Sequence, residues 1–349
     1  MSSLRSPRAG LVAVLPALTL IGMLDPTRGV SASPSVRLAG DPVVAVAGDV
    51  ACDPLNPDYN GGLGNGKKCQ EVATGQLVRA GSYDAVLALG DLQYDCGGKA
   101  AFFSSYDQSW GSFKSITYPT PGNHEYKRRN NSTGTDCGGL ATARGYFDYF
   151  TCTAPPVTPC TSVPAPAPGN FGEGYYSFDL GAWHIISLNA NCRFTRGCKA
   201  GSPQEQWLAA DLAAHPNAQY PCTLAFWHQP RFASGKTVGA DASSAVFWRD
   251  LYDAGADLVL NGHLHAYERF APQDPDASAD PVNGITEMIV GTGGEGYQGI
   301  TATPAANSLV RKTKLNGILS LTLKPSGFDW RFVNVPGQTF QESGSADCH

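Results

Sequence analysis

Residues 85–94 read Ala-Val-Leu-Ala-Leu-Gly-Asp-Leu-Gln-Tyr. Five apolar residues followed by a turn signal describe a short buried strand, 85–89, that ends in a loop carrying Asp91 and Tyr94. The same arrangement recurs at four other places. Gly48-Asp49 follows the apolar run 43–47, and Trp227-His228 follows 224–226. Gly262-His263-Leu264-His265 follows 258–260, and Gly122-Asn123-His124-Glu125 also closes a strand-like stretch. Further apolar runs lie at 185–188 and 288–290. A helix is expected over 204–214, with Ser202 as its N-cap, Pro203 in the first turn and Glu205 three residues after the cap. A second helix is expected over 242–253, and a hairpin over 317–335 turning at Pro325-Ser326-Gly327. Strands alternating with helices predict an α/β layered fold whose site is built on loops at the C-terminal ends of strands.

Those five loops bring seven candidate metal ligands: Asp49, Asp91, Tyr94, Asn123, His228, His263 and His265. Oxygen and imidazole donors in such a set suit iron, manganese or zinc, and seven ligands with one shared carboxylate suffice for two ions. Taken singly, Asp49 and Asp91 could cap turns, Asn123 could be a turn residue beside Gly122, and Tyr94 could simply be packed. As a set they favour ligation. His184 reads as a satisfied strand residue, His215 as a cation near a helix C-terminus, and His349 as the chain end; none is expected in the centre. The run Asn60 to Gly66 is rich in glycine but lacks the Gly-Lys-Ser/Thr ending of a phosphate loop. Thr292-Gly293-Gly294 reads as a tight turn.

Residues 1–32 have the pattern of an export signal: Arg5 and Arg8, an apolar stretch over 11–24, and Val30-Ser31-Ala32 as a cleavage site. No later stretch approaches the ~20 apolar residues of a membrane span. Without that segment, 22 basic and 29 acidic residues remain, a net charge of −7 against −5 for the whole chain. This acidity argues against a nucleic-acid scaffold gripped through phosphate contacts. All ten cysteines follow residue 32 and none forms a C-x-x-C pair, so disulfides are expected, with Cys152–Cys160 and Cys192–Cys198 as local pairs. No linker or repeat divides the chain. The expected organisation is a short segment 33–40, one domain over 41–335 and a C-terminal tail over 336–349. Residues 130–170, rich in Thr, Pro, Gly and Cys, are expected to form a disulfide-pinned surface excursion.

In order, Asp, Gly-Asp-x-x-Tyr, Gly-Asn-His-Glu, His and Gly-His-x-His resemble the calcineurin-like binuclear metallophosphoesterases and are most similar to the purple acid phosphatases. The resemblance spans roughly residues 43–290. Most metallophosphoesterases carry a histidine two residues after the first aspartate, where this chain has Ala51. Tyr94 stands where the purple acid phosphatases place a tyrosinate on ferric iron. His265-Ala266-Tyr267-Glu268-Arg269 is also similar to that subfamily. Departures are small: Ala51 replaces the subfamily's usual glycine, and Ala225 replaces a usual valine.

The resemblance implies a layered sandwich of two mixed β-sheets flanked by helices. It places Asp49, Tyr94 and His265 on a first metal, taken to be Fe(III), and Asn123, His228 and His263 on a second, Fe(II), Zn or Mn. Asp91 would bridge the two. His124 would face the substrate and serve the leaving oxygen, and Asn123 would also contact the phosphate. The implied protein is a secreted phosphatase of phosphorylated small molecules, working by in-line attack of metal-bound hydroxide. Two cations ~3.5–4 Å apart supply that chemistry, and an imidazole acid adds ~10²–10⁴ in rate. From its closeness to His228, Arg231 is a further candidate for touching the phosphate. Lys127-Arg128-Arg129 could steer anions or be a solvated loop. Two other readings stay open: a phosphodiesterase or nucleotidase on the same metals, and a secreted binding protein that keeps the fold without catalysis.

Overall fold

The computed structural model describes residues 40–127, 142–151 and 169–349. In chain order the strands are β1 (Val43–Ala47), β2 (Ala85–Leu89), β3 (Thr117–Thr120), β4 (Tyr176–Leu180), β5 (Trp183–Ser187) and β6 (Cys222–Trp227). They continue with β7 (Leu258–Asn261), β8 (Tyr267–Phe270), β9 (Thr286–Val290) and β10 (Ser308–Lys312). The last are β11 (Gly317–Lys324), β12 (Gly327–Asn334) and β13 (Ser343–Asp347). One sheet has the order β13-β12-β11-β1-β2-β3, the other β10-β8-β9-β7-β6-β5-β4. In the first, β1, β2 and β3 are parallel and β11 joins β1 antiparallel. In the second, β5, β6, β7 and β9 are parallel, with antiparallel neighbours at both ends. Both sheets are therefore mixed, as expected.

The apolar runs become strands because both of their faces are covered. Along the second sheet, Ile185, Leu224, Leu258 and Met288 join the core shared with Val44, Leu87 and Ile318 of the first. Their neighbours Ile186, Ala225, Val259 and Ile289 pack instead with Leu208, Leu212, Phe247 and Leu251. Those last four lie on the helices Pro203–Ala214 and Ala245–Asp253. The period of two along each strand thus divides the core into a layer between the sheets and a layer under the helices.

Several local expectations change. Pro203 starts its helix, but Ser202 makes no side-chain cap; Glu205 instead accepts the Gly201 N–H at 2.8 Å. The second helix is split into a 3-10 turn, Ala242–Ser244, capped by Asp241, and an α-helix over Ala245–Asp253. The C-terminal tail is no tail. Residues 343–347 pair with β12, and Cys348 is disulfide-bonded to Cys222 at the start of β6, which ties the two sheets together. Most of the expected excursion, with Cys152 and Cys160, lies outside the described residues. Its helix Arg144–Thr151 does not sit on the surface as expected, because Tyr146, Phe147, Tyr149 and Phe150 are part of the core. Of the two local disulfides, Cys192–Cys198 is present.

Leu224 is completely buried at the centre of β6. Leu224→Ala should lower unfolding stability by ~2–5 kcal/mol, read from the denaturant midpoint, because it removes packing and leaves a cavity. The half-exposed Leu309, changed likewise, should stay within ~0.5 kcal/mol.

Candidate metal centre

Five parallel strands end at one place. Residues 48–49 follow β1, 90–94 follow β2, 122–125 follow β3, 228 follows β6 and 262–265 follow β7. The turns are sharp. Asp49, Asp91 and His263 have φ of 60°, 48° and 69°, the left-handed region that costs a non-glycine residue ~1–3 kcal/mol. Glycine permits the close approach of two of these loops. A Cβ on Gly122 would lie 2.2 Å from Asp91 Oδ1, and one on Gly262 would lie 2.8 Å from Asp49 Oδ2.

The Tyr94 hydroxyl sits 2.8 Å from Asp49 Oδ1, 3.1 Å from Asp91 Oδ2 and 3.0 Å from His265 Nε2. His265 Nε2 is 3.2 Å from Asp49 Oδ1. Ligands bound at ~2.1 Å and at right angles around one cation stand ~3 Å apart, so these four atoms match the edges of a coordination polyhedron. Asp91 Oδ2 is also 3.1 Å from His228 Nε2, which is 3.2 Å from His263 Nδ1. One carboxylate oxygen therefore faces both groups. Asn123 supplies the second test of fit: its Oδ1 is buried and has no hydrogen-bond partner among the described residues. An orphaned buried oxygen costs ~1–3 kcal/mol, and a cation would satisfy it. The residues present fit metal binding: Asp49, Tyr94, His265 and Asp91 could hold one ion, and Asp91, Asn123, His228 and His263 another.

The electrostatics of the protein groups point the same way. Burial, joined by the Asp49 and Asp91 carboxylates, holds the Tyr94 phenol well above its ordinary range. Burial disfavours charge on His228 and His265, yet the Asp91 carboxylate lifts the first to about 9 and the Asp49 carboxylate the second to about 10. His263 is driven down to about 4, by burial and then by the neighbouring His228 charge. Such a cluster draws in positive charge.

His124 flanks both groups, and its backbone N–H donates to Asp91 Oδ1 at 2.7 Å. Its Nδ1 is 2.7 Å from the Asp95 carbonyl, which leaves Nε2 facing the centre 3.7 Å from Asp91 Oδ2. Its ring lies against Tyr94 with centroids 4.1 Å apart. Arg231, expected at the phosphate, is committed elsewhere: its guanidinium packs over Phe232 and donates to the Pro275 carbonyl. Its backbone N–H is bonded to Glu287. Nearness to His228 in sequence did not carry its side chain to the centre, because the loop after His228 is pulled towards Glu287. His184 is satisfied as expected, between Asp179 and Asp211 at 2.9 Å each, and His349 bonds Asp257. His215 caps its helix and bonds the Asp211 carbonyl through Nδ1. Of the basic run after Glu125, only Lys127 is among the described residues.

Two carboxylates with no expected role support the centre. Glu125 accepts the N–H groups of Asp91, Leu92, Gln93 and Gly122, and so knits the β2 and β3 loops together. Burial, followed by the Asp91 charge, raises its pKa to about 7. Its position inside the Gly-Asn-His-Glu motif was the available signal. Glu295 contacts His265 Nδ1 at 3.2 Å, and nothing in the turn-like sequence before it pointed there.

Two facing mixed sheets with a polar centre at their parallel strand ends define a metallophosphoesterase fold. The chain belongs to the calcineurin-like phosphoesterase family, whose profile matches residues 43–267. Purple acid phosphatase 22 of Arabidopsis thaliana is 26% identical over 225 residues, covering 64% of this chain and 47% of that protein. Purple acid phosphatase 15 of the same plant is 32% identical over 128 residues, 36% of this chain and 23% of that protein. The chain therefore matches less than half the length of these relatives. Among solved structures, a purple acid phosphatase from yellow lupin (Lupinus luteus) seeds has a TM-score of 0.64 at 16% identity, covering 89% of this chain and 54% of that one. GAP50, the anchor in the inner membrane complex of Plasmodium, has a TM-score of 0.60 at 14% identity, covering 89% and 90%. These two structures carry the likeness of fold alone.

Metal loading should stabilise the chain by ~2.7 kcal/mol for each site filled at a hundredfold excess over its Kd. Thermal melts with and without a chelator test this. The difference should shrink sharply in Asp91→Asn, and an equal melting temperature of the wild type in both conditions would count against the centre.

Proposed function

We propose that the protein is a purple-acid-type phosphatase that hydrolyses phosphate monoesters at a two-metal centre. Fe(III) would occupy the Tyr94 subsite, and Fe(II), Zn or Mn the second. The observation that carries this reading is the Tyr94 hydroxyl within about 3 Å of Asp49, Asp91 and His265. A phenol buried among carboxylates resists ionisation unless a strongly acidic cation binds it, and ferric iron is such a cation. Two bound cations would acidify water and neutralise phosphoryl charge in an in-line displacement.

The protein's own groups complete the chemistry. His124, fixed through Nδ1 by the Asp95 carbonyl, presents Nε2 towards the centre and can protonate the leaving alkoxide. Asn123, beside it, would orient the phosphate, which arrives as a phosphorylated small molecule. Export is supported by the disulfides Cys52–Cys69, Cys192–Cys198 and Cys222–Cys348, which suit an oxidising compartment. The signal expected over 1–32 lies outside the described residues.

Metal analysis with a visible spectrum tests the metal assignment. Two metals per chain, one of them iron, should accompany a charge-transfer band that disappears in Tyr94→Phe. A colourless, iron-free protein that still hydrolyses phosphate esters would refute the Tyr94–iron subsite. Rates on a monoester and a diester at defined metal content distinguish a phosphatase from a phosphodiesterase, and a doubly metallated chain that turns over neither would favour a binding protein.

The pH profile tests His124. Burial, against the pull of Asp91, lowers its pKa below the ordinary 6.5, so the ring is a proton donor only in the acid range. As pH rises through that pKa the donor is lost, and kcat for an ester with a poor leaving group should fall with it. His124→Ala should cost ~10²–10⁴ in kcat with such an ester and flatten this limb, while an activated aryl ester suffers less. An unchanged profile in the variant would remove His124 from the acid role.

A further inference from the structure

Glu295 follows Gly294 in the loop after β9 and reaches two of the groups around Tyr94. Its backbone N–H donates to the Asp49 carbonyl at 3.0 Å, and its Oε2 lies 3.2 Å from His265 Nδ1. The other oxygen, Oε1, is 3.0 Å from Lys68 Nζ. Lys68 is itself anchored. Its neighbour Cys69 is disulfide-bonded to Cys52, three residues after Asp49, and the Cys69 N–H donates to the Glu295 carbonyl at 3.3 Å. The side chain of Glu295 is nearly buried, while that of Lys68 is about one-third exposed and closes it from the solvent side.

An imidazole that ligates through Nε2 must carry its proton on Nδ1, and an acceptor at Nδ1 decides both tautomer and ring orientation. A carboxylate in that place also strengthens the Nε2 donor. Glu295 meets these conditions on the Tyr94 side, while Asn123, His228 and His263 have no contact with it among the described residues. His228 is served differently, by the Leu89 carbonyl at 2.8 Å from its Nδ1. The two subsites therefore have chemically distinct outer partners, a charged one and a neutral one.

We propose that Glu295, held by Lys68 on the disulfide-pinned loop, is the positioning residue of the Tyr94 subsite and sets the metal affinity of that subsite alone. The inference rests on the two-metal reading above. In neutral His265 the Nδ1 proton goes to Glu295, and the Nε2 lone pair is aimed at the space shared with Asp49 Oδ1 and the Tyr94 hydroxyl. Lys68 keeps the carboxylate from turning towards Tyr94 or Asp49, where another negative charge would add repulsion.

Stepwise metal dissociation constants of the full chain, measured with competing chelators, test the proposal together with the visible spectrum. Glu295→Ala should weaken the first subsite ~10–100-fold and leave the second unchanged, with the charge-transfer band moved or weakened. Glu295→Gln keeps an acceptor without the charge, so the loss should be smaller; Lys68→Met should fall in the same direction. A folded Glu295→Gln or Glu295→Ala chain with wild-type affinity at both subsites overturns the proposal. So does an equal loss at both, which would mark a merely structural role. A wild-type chain that binds no metal overturns this inference and the two-metal reading together. Two metals bound without phosphatase activity would sink only the proposed reaction, and the subsite-selective loss would still stand.

Discussion

Three electronegative atoms held within about 3 Å of the buried Tyr94 hydroxyl are the constraint from which the rest of this structure follows. Asp49, Asp91 and Tyr94 are almost fully buried, and among the described residues no lysine or arginine is hydrogen-bonded or ion-paired to them. Mutual repulsion of that kind is tolerated only when the surrounding fold leaves the groups no escape and a cation can enter between them. The left-handed turns at Asp49, Asp91 and His263 show how firmly the backbone is committed to this crowding. The two imidazoles pulled towards the charged form by the same carboxylates show its field.

Buried acids recur as braces around the centre. Glu125 gathers four amide N–H groups from the loops after β2 and β3. On the far side, Glu287 of β9 takes the Arg231 and Phe232 N–H groups, and Glu268 of β8 takes the N–H and hydroxyl of Ser234. The segment following His228 is thereby tied to two strands of its own sheet. Loops would otherwise be the softest part of such a site. Here Glu125 stitches two loops to each other, and Glu287 and Glu268 stitch the segment after His228 to strands, each carboxylate accepting several bonds at once.

Much of this was legible in the sequence. Apolar runs of three to five residues, each followed by a polar turn, read as short buried strands, and the ligand candidates fell on their ends. Side chains that reach the centre from those ends, such as Tyr94 and His265, were readable because strand direction carries them there. Arg231 was not, since its direction depends on Glu287, a partner far away in sequence. Glu295 was hidden for the same reason: its contacts with His265 and Lys68 exist only after β9 and the Cys52–Cys69 loop have come together. The C-terminal strand was obscured by its composition, because Ser-Gly-Ser-Ala-Asp carries no strand signal and pairs only because β12 offers an edge.

The position of β1 has a consequence for how the molecule is made. Val44 lies between Ala85 on one side and Leu321 on the other, so the first strand in the sheet waits for almost the last hairpin. Until residues 317–324 arrive, β1 presents an open hydrogen-bonding edge and an uncovered apolar face. Closure of the sheet is thus a late, long-range event, and the slow assembly expected of such distant pairings falls on the strand that positions Asp49. In such an arrangement the strand that positions Asp49 gains its second hydrogen-bonded neighbour only from residues 317–324, more than fifty residues beyond the last candidate ligand, His265.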